Sequence, residues 1–381
     1  MSAKGDVESV LARVRQLRIL PTAALHVLEK IQLRPARALL PSSCMILAFG
    51  ASFVALCAFA DNTPAALTGL HSAAFTEYSP LSSNAELARR MLSPLSAAQI
   101  PQLLARAGKG LSEQPINLSE EKFALYVPAQ SPPHGYALLV FVPPWQDARL
   151  PTGWAAVLDR YGVIFVSAAR SGNDETSLGR REPLAVTAAY NVMRNYTVDA
   201  ERVYIGGFSG GSRMALRLAL GYADVFRGAL LNAGSDPIGS TEIPLPSKDL
   251  FYRFQNSTRL VYVTGEKDPG SLAADERSIQ SMREWCVFDM DIEIAHWQGH
   301  EAASPAALSG ALHALMNPVA SNPGKLAACR AAVEAKLDAQ FQQVQALIAS
   351  DKHDNAQKLL RQIDARFGGL AAPRSLDLTG K

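Results

Sequence analysis

The chain has 381 residues, of which 48% are hydrophobic. It is therefore long enough to bury a sizeable core, either in one large domain with appendages or in two modest domains. Lys and Arg number 37 against 35 Asp and Glu, so the formal net charge is only +2. Without a long run of one charge sign, this balance excludes a strongly basic nucleic-acid-binding surface, and no nucleic-acid partner is predicted.

The first recognisable segment runs from Met45 to Ala60, which is apolar, uncharged and too short for an ordinary membrane-spanning helix. Arg34 and Arg37 precede it, and small residues at positions 58 and 60 suit a signal peptidase. We therefore predict a signal peptide within residues 1–60, cleavage after Ala60, a periplasmic or secreted protein, and no stable membrane span after cleavage. An uncleaved anchor, a buried apolar helix and a start at Met45 remain open.

The number of cysteines in the mature chain depends on whether the signal peptide is cleaved. Cys44 and Cys57 leave with the signal peptide if it is cleaved, whereas Cys286 and Cys329 stay in the mature chain. An oxidising compartment would permit a bridge between the two remaining cysteines, and two unpaired buried thiols are the alternative.

Residues 61–320 divide into two regions that differ in composition and in hydrophobic periodicity. Residues 61–114 are rich in Ala, Leu and Ser with helical spacing, which predicts a helical N-terminal extension. Residues 115–320 alternate strand and helix patterns, beginning with the apolar run Tyr136 to Val142. Repeated βα units predict an α/β fold with a mostly parallel central sheet flanked by helices.

The C-terminal region, residues 321–381, changes to polar segments with helical periodicity. Apolar positions from Val333 to Ile348 keep helical spacing, and a second helix from Ala356 to Phe367 ends at two glycines. This pattern predicts a C-terminal helical hairpin. It is interpreted as a cap packed on the main domain, with a site for a protein partner as the alternative.

A short motif within the α/β region indicates a catalytic residue. Residues Gly207 to Gly211 read G-F-S-G-G, which matches G-x-S-x-G. The apolar residues Val203 to Ile205 precede it as a strand, and a helical pattern follows from Ser212. Strand, tight turn and helix form the context in which this motif presents a nucleophilic serine, so Ser209 is the candidate nucleophile.

A serine hydroxyl needs a neighbouring base and a group that orients the base. In this strand and helix setting the order along the chain is Ser, acid, His. Of the histidines after Ser209, His313 and His353 lie in a predicted helix and in the hairpin turn. His296 and His300 follow a predicted strand, and His300 is preferred because Gly299 gives its loop freedom.

The acid is predicted from the position of a strand end. Residues Leu260 to Thr264 form an apolar strand, and Asp268 lies in the loop that follows. Catalytic groups of open α/β sheets gather at this edge, so Asp268 is the candidate orienting acid. Glu266 and Asp236 are the alternatives, and a purely structural turn at Asp268 is the non-functional interpretation.

An oxyanion formed by attack of Ser209 needs backbone N–H donors. Gly210, directly after the nucleophile, is the first candidate. The second is expected from the loop after the strand at Tyr136 to Val142, where Pro143 and Pro144 have no N–H to donate. Trp145 is therefore the second candidate, with Gln146 as its alternative.

These segments resemble the polyhydroxybutyrate depolymerase and feruloyl-esterase-like branch of the α/β-hydrolases over about residues 121–317. The resemblance rests on five segments: Phe123 to Pro128, Val140 to Asp147, Val198 to Gly211, Gly265 to Asp268 and Gly299 to Glu301.

The resemblance implies a serine esterase without metal or cofactor that cleaves a small or oligomeric ester through an acyl-enzyme. Pro143 and Pro144 depart from the His-Gly that many relatives carry before the oxyanion donor. A serine peptidase of prolyl-oligopeptidase type and a non-catalytic binding protein of the same fold are the alternatives.

Overall fold

The computed structural model describes residues 67–106, 108, 110–111, 113, 116–175, 177–318 and 322–379. The predicted signal peptide, with its cleavage point after Ala60, lies outside these ranges, as do Cys44 and Cys57. In the described ranges no helix has the length and apolar character needed to cross a membrane.

The centre of the fold is one sheet, to which eight strands contribute within the described residues. The strands are β1 Gly69–Ala73, β2 Phe123–Val127, β3 Tyr136–Val142, β4 Val163–Ala168, β5 Val198–Phe208, β6 Gly228–Asn232, β7 Arg259–Gly265 and β8 Met290–Ala295. Their order across the sheet is β1-β2-β4-β3-β5-β6-β7-β8. β2 is antiparallel to both of its neighbours, whereas every pair from β4 to β8 is parallel. The predicted α/β class with a mostly parallel sheet is therefore confirmed.

Helices cover the sheet, and further helices follow it at the C-terminus. They are α1 Asn84–Met91, α2 Pro94–Arg106, α3 Trp154–Tyr161, α4 Glu182–Asn195, α5 Gly210–Gly221, α6 Lys248–Ser257, α7 Pro269–Glu284, α8 Pro305–Met316, α9 Pro323–Ala349, α10 His353–Phe367 and α11 Arg374–Thr379.

The strand β3 shows why the sheet is buried on both faces. Its residues alternate between two hydrophobic clusters, because successive side chains of a strand point to opposite faces. Leu138 and Val140 belong to the cluster on one face, and Leu139 and Phe141 belong to the cluster on the other. The continuous apolar run in the sequence is thus explained by two cores that share one strand.

The N-terminal segment differs from its prediction. Residues 61–114 were expected to form a helical extension outside the α/β domain, which begins at about residue 115 by composition. The described part of this segment does contain α1 and α2, but β1 pairs with β2 along its whole length, from Gly69 opposite Val127 to Ala73 opposite Phe123. The segment therefore supplies an edge strand of the main sheet.

The C-terminal hairpin is confirmed and is packed on the main domain. Leu337, Phe341 and Val344 of α9 are buried in the same cluster as the core of the sheet. A disulfide bond joins Cys286, just after α7, to Cys329 of α9. The inner face of the hairpin is therefore occupied, in agreement with the cap interpretation, and a protein partner would have to use its outer face.

Candidate active site

The turn between β5 and α5 holds Ser209 in an unusual backbone conformation. Its φ is 55° and its ψ is −121°, a region that a residue with a side chain rarely occupies unless its surroundings hold it there. The turn is tight, since a β-carbon on Gly207 would overlap the carbonyl of Gly211 and one on Gly211 would overlap the carbonyl of Val142. Glycine is thus required on both sides of the serine.

Three loops at the carboxyl edge of the sheet bring the predicted residues together. Ser209 follows β5, Asp268 caps the N-terminus of α7 directly after β7, and His300 lies in the loop after β8. His300 Nε2 is 2.9 Å from Ser209 Oγ. His300 Nδ1 is 2.6 Å from Asp268 Oδ2. The hydroxyl, imidazole and carboxylate therefore form one continuous chain of hydrogen bonds.

The charge of Asp268 fixes the direction of that chain. Burial raises the pKa of Asp268, but hydrogen bonds from Ser271 and from His300 outweigh this effect and leave the pKa below its ordinary value. A carboxylate only accepts hydrogen bonds, so Nδ1 of His300 carries the proton. Nε2 then has a free lone pair to accept the hydroxyl proton of Ser209. This is the arrangement that activates a serine.

Asn232, at the end of β6, holds the surrounding backbone together and was not predicted from the sequence. It is buried, and its carbonyl accepts from the N–H of Ser209 at 2.8 Å. Its side chain donates to the carbonyl of Val263 at 2.8 Å and accepts from the N–H of Ala303 at 2.8 Å. One residue thereby links the serine turn, through its carbonyl, to β7 and the segment that follows His300, through its side chain.

The alternative residues lie elsewhere. His296 is 75% exposed and its Nδ1 is 3.4 Å from Glu266 Oε2, so these two alternatives face each other. Asp236 forms an ion pair with Arg213. His313 lies in α8 and His353 begins α10. Of the histidines and acids considered, the structure places His300 and Asp268 beside Ser209.

The loop after β3 carries the second predicted oxyanion donor. The carbonyl of Pro144 accepts from the N–H of Asn173 at 3.0 Å. In a trans peptide the N–H and the C=O point in opposite directions, so the N–H of Trp145 points away from that contact. Gly210 begins α5 with its N–H free of the helical ladder. The predicted donors therefore lie in two different segments: Gly210 at the start of α5, directly after the serine, and Trp145 in the loop after β3.

The segment after β4 fixes this loop through buried contacts. Arg181 is only 5% exposed and donates to the carbonyls of Pro143 at 3.1 Å and Ser171 at 3.0 Å. Arg170 N–H donates to the carbonyl of Gln146 at 2.7 Å. Burial lowers the pKa of Arg181. Although arginines are usually exposed, the guanidinium of Arg181 is buried, where it satisfies loop carbonyls.

The aromatic side chains of the α/β region divide into two groups by whether they lie beside the site. Phe254 is fully buried, and Tyr252 bonds Glu334 on α9, so neither forms a rim at this edge. Trp145 packs at 6.1 Å from Phe208, whose ring lies 5.1 Å from that of His300. A hydrophobic wall thus lies beside the imidazole.

Comparisons with known proteins were made by family, by curated sequence and by structure. No family model matches the chain. No curated protein matches it. Among solved structures, the S-formylglutathione hydrolase FrmB from Staphylococcus aureus matches with 12% identity over 52% of this chain and 93% of its own, at a TM-score of 0.41. A ferulic acid esterase matches with 13% identity over 64% of this chain and 96% of its own, at 0.39.

A third structure shows a match to part of a longer protein. Dipeptidyl peptidase 4 from Porphyromonas gingivalis matches with 16% identity over 52% of this chain and 34% of its own, at a TM-score of 0.38.

In the part of the chain that the structure describes, no group of three or more His, Cys, Asp or Glu is placed to hold a metal ion. By its own strand order, its antiparallel second strand and the turn at Ser209, the chain has the α/β-hydrolase fold.

Proposed function

We propose that the chain is a serine hydrolase that cleaves carboxylic esters through an acyl-enzyme. The observation that carries the proposal is the hydrogen-bonded series from Ser209 Oγ to His300 Nε2 at 2.9 Å and from His300 Nδ1 to Asp268 Oδ2 at 2.6 Å. In catalysis, such a series takes the proton from a serine hydroxyl and returns it to a leaving group.

The reaction follows from this geometry. Ser209 Oγ attacks the ester carbonyl carbon while His300 Nε2 takes the hydroxyl proton, and Asp268 stabilises the imidazolium that forms. The N–H groups of Gly210 and Trp145 face the negative oxygen of the tetrahedral intermediate. When the intermediate collapses, His300 gives the proton to the departing alcohol. A water molecule then repeats the sequence and releases the carboxylic acid, which regenerates Ser209.

The decisive experiment is labelling with a fluorophosphonate, which reacts only with an activated serine. The chain with Ser209→Ala should show no labelling, whereas wild type should be labelled and should hydrolyse aryl esters. Ser212→Ala is a matched control, because this neighbouring hydroxyl is buried against Ser235 instead of His300. Equal labelling of wild type and Ser209→Ala would refute the assignment.

The same proteins separate the competing functions. In a panel of p-nitrophenyl esters and aminoacyl p-nitroanilides, the protein should hydrolyse the esters and leave the anilides intact. Cleavage of the anilides at comparable rates would identify a peptidase instead. No labelling and no turnover by the wild type would leave a binding protein that retains the hydrolase fold.

We also propose that the protein is exported and cleaved after Ala60. The disulfide between Cys286 and Cys329 supports an oxidising compartment. Cleavage at this point would leave the sheet intact, since β1 begins at Gly69. Amino-terminal sequencing of the exported protein should give Asp61 as its first residue, and a cytosolic protein that begins at Met1 would contradict the proposal.

A further inference from the structure

The loop after β3, on one side of Ser209, has fewer backbone N–H donors than a loop without proline. Pro143 and Pro144 occupy two consecutive positions of the loop after β3, and neither has an N–H. On this side, the nearest backbone donor after the strand is Trp145. A site that stabilises a negative oxygen commonly adds a side-chain amide to its backbone donors.

Asn173 places such an amide beside the first donor. A β-carbon built on Gly210 would overlap Asn173 Oδ1 and would lie 2.8 Å from Cγ and 3.0 Å from Nδ2. The terminal amide of Asn173 therefore lies directly against the α-carbon of Gly210, the residue whose N–H follows the nucleophile. A side chain on residue 210 would displace it.

The backbone holds Asn173 in this position. Its N–H donates to the carbonyl of Pro144 at 3.0 Å, the same peptide that carries the N–H of Trp145. The preceding residue, Gly172, is so close to this loop that a β-carbon on it would lie 2.7 Å from the carbonyl carbon of Trp145. The backbone of Asn173 is thus held against the loop that carries Trp145, while its side-chain amide lies against Gly210.

The side chain of Asn173 is free to act. It is exposed, and within the described residues its side chain makes no hydrogen bond to another protein group. Asparagine in a loop is often explained by a hydrogen bond that closes a turn, and the described residues of this loop show no such bond from the side chain of Asn173. Oδ1 and Nδ2 exchange places when the amide turns by half a rotation, so a negative oxygen beside Gly210 would draw Nδ2 towards it.

We propose that Asn173 is a catalytic residue whose side-chain amide donates a third hydrogen bond to the oxyanion, in place of a donor that the two prolines cannot supply. The inference rests on the proposed function. The donated bond forms as negative charge develops on the carbonyl oxygen and weakens when the carbonyl reforms. Its contribution therefore appears in the rate of the chemical step and hardly in substrate binding.

The test compares Asn173→Ala and Asn173→Asp with wild type on one aryl ester. Asn173→Ala should lower kcat by about 10²-fold with KM nearly unchanged, the effect of losing one oxyanion donor. Asn173→Asp should lose more, since a carboxylate repels the oxyanion. Glu175→Gln, in the same loop and facing Arg180, is the matched control and should retain wild-type kcat.

Inhibition gives a second readout that a disturbed loop would not reproduce. An alkyl boronic acid, which forms a tetrahedral anion on Ser209, should lose affinity in Asn173→Ala by the same factor as kcat/KM, while a substrate-like ketone should not. Wild-type kcat in Asn173→Ala, or a loss confined to KM, would overturn the role of Asn173. Failure of the wild type itself to label and turn over would instead overturn the proposed function.

Discussion

Asp275 is a buried acid close to the site, and burial affects its charge. It is 5% exposed and accepts a hydrogen bond from Thr264 Oγ1. Burial raises its pKa from 3.8 to about 6, partly offset by that hydrogen bond. Between these values the unfolded chain ionises while the folded chain keeps its proton. Stability from this group is therefore complete below the lower value and lost as the pH rises through the higher one.

Asp275→Asn should accordingly stabilise the protein more at pH 8 than at pH 4.5. The expected difference in the free energy of unfolding is about 1 to 3 kcal/mol. Urea unfolding at the two pH values measures it. Asp351→Asn, at a carboxylate that is 98% exposed, should show no such difference. An equal effect of Asp275→Asn at both pH values would mean that the charge of Asp275 is not the cause.

The site residues that the sequence revealed share one property. Ser209 and Asp268 follow strands that are visible as apolar runs, and His300 follows β8, in which apolar and acidic residues alternate, so the edge of the sheet to which they belong was predictable. Asn173 and Asn232 act through contacts with loops that are distant along the chain. No local pattern marks such contacts, and only the folded backbone shows that Asn232 meets both Ser209 and Ala303.

At the scale of elements, the approach of α5 to β3 depends on Gly211. A β-carbon there would overlap the carbonyl oxygen of Val142. Gly211→Ala should therefore force the helix away from the strand, reduce stability by about 1 to 3 kcal/mol and abolish fluorophosphonate labelling of Ser209. Thermal unfolding and labelling measure the two effects.

Gly324→Ala provides the control for that substitution. Gly324 lies in the first turn of α9, and the nearest atom to its added β-carbon would be Asn322 Oδ1 at 3.5 Å, an ordinary contact. Stability and labelling should stay close to those of wild type. Full activity in Gly211→Ala would show that the turn tolerates a side chain and that its tightness is not required.

Two elements that were not predicted from the sequence, β1 and α6, lack a continuous apolar run. β1, Gly69–Ala73, alternates between exposed and half-buried positions at the edge of the sheet, so its residues show no apolar run. α6, Lys248–Ser257, buries only one face, with Phe251 and Phe254 pointing inwards. The few apolar residues on that face did not distinguish this helix from a loop in the sequence. The buried parallel strands, by contrast, were predicted because both of their faces are apolar.

For the whole molecule, the disulfide between Cys286 and Cys329 ties the hairpin to the sheet domain across 43 residues of sequence. Reduction should lower the free energy of unfolding by about 2 to 4 kcal/mol, since the unfolded chain regains freedom. Urea unfolding with and without dithiothreitol measures the loss. The double variant Cys286→Ser, Cys329→Ser should start at the reduced value and should not respond to dithiothreitol. Two free thiols in the untreated native protein would contradict the bridge.

The contact between α2 and α10 has a consequence for biosynthesis. Asp364 accepts hydrogen bonds from Ser93 and from the N–H of Leu95, the latter at 3.1 Å, across roughly 270 positions of the chain. A nascent polypeptide lacks this acceptor until residue 364 has been made. Native packing at this end of α2 must then wait for the synthesis of α10, so it cannot be completed while α2 itself emerges from the ribosome.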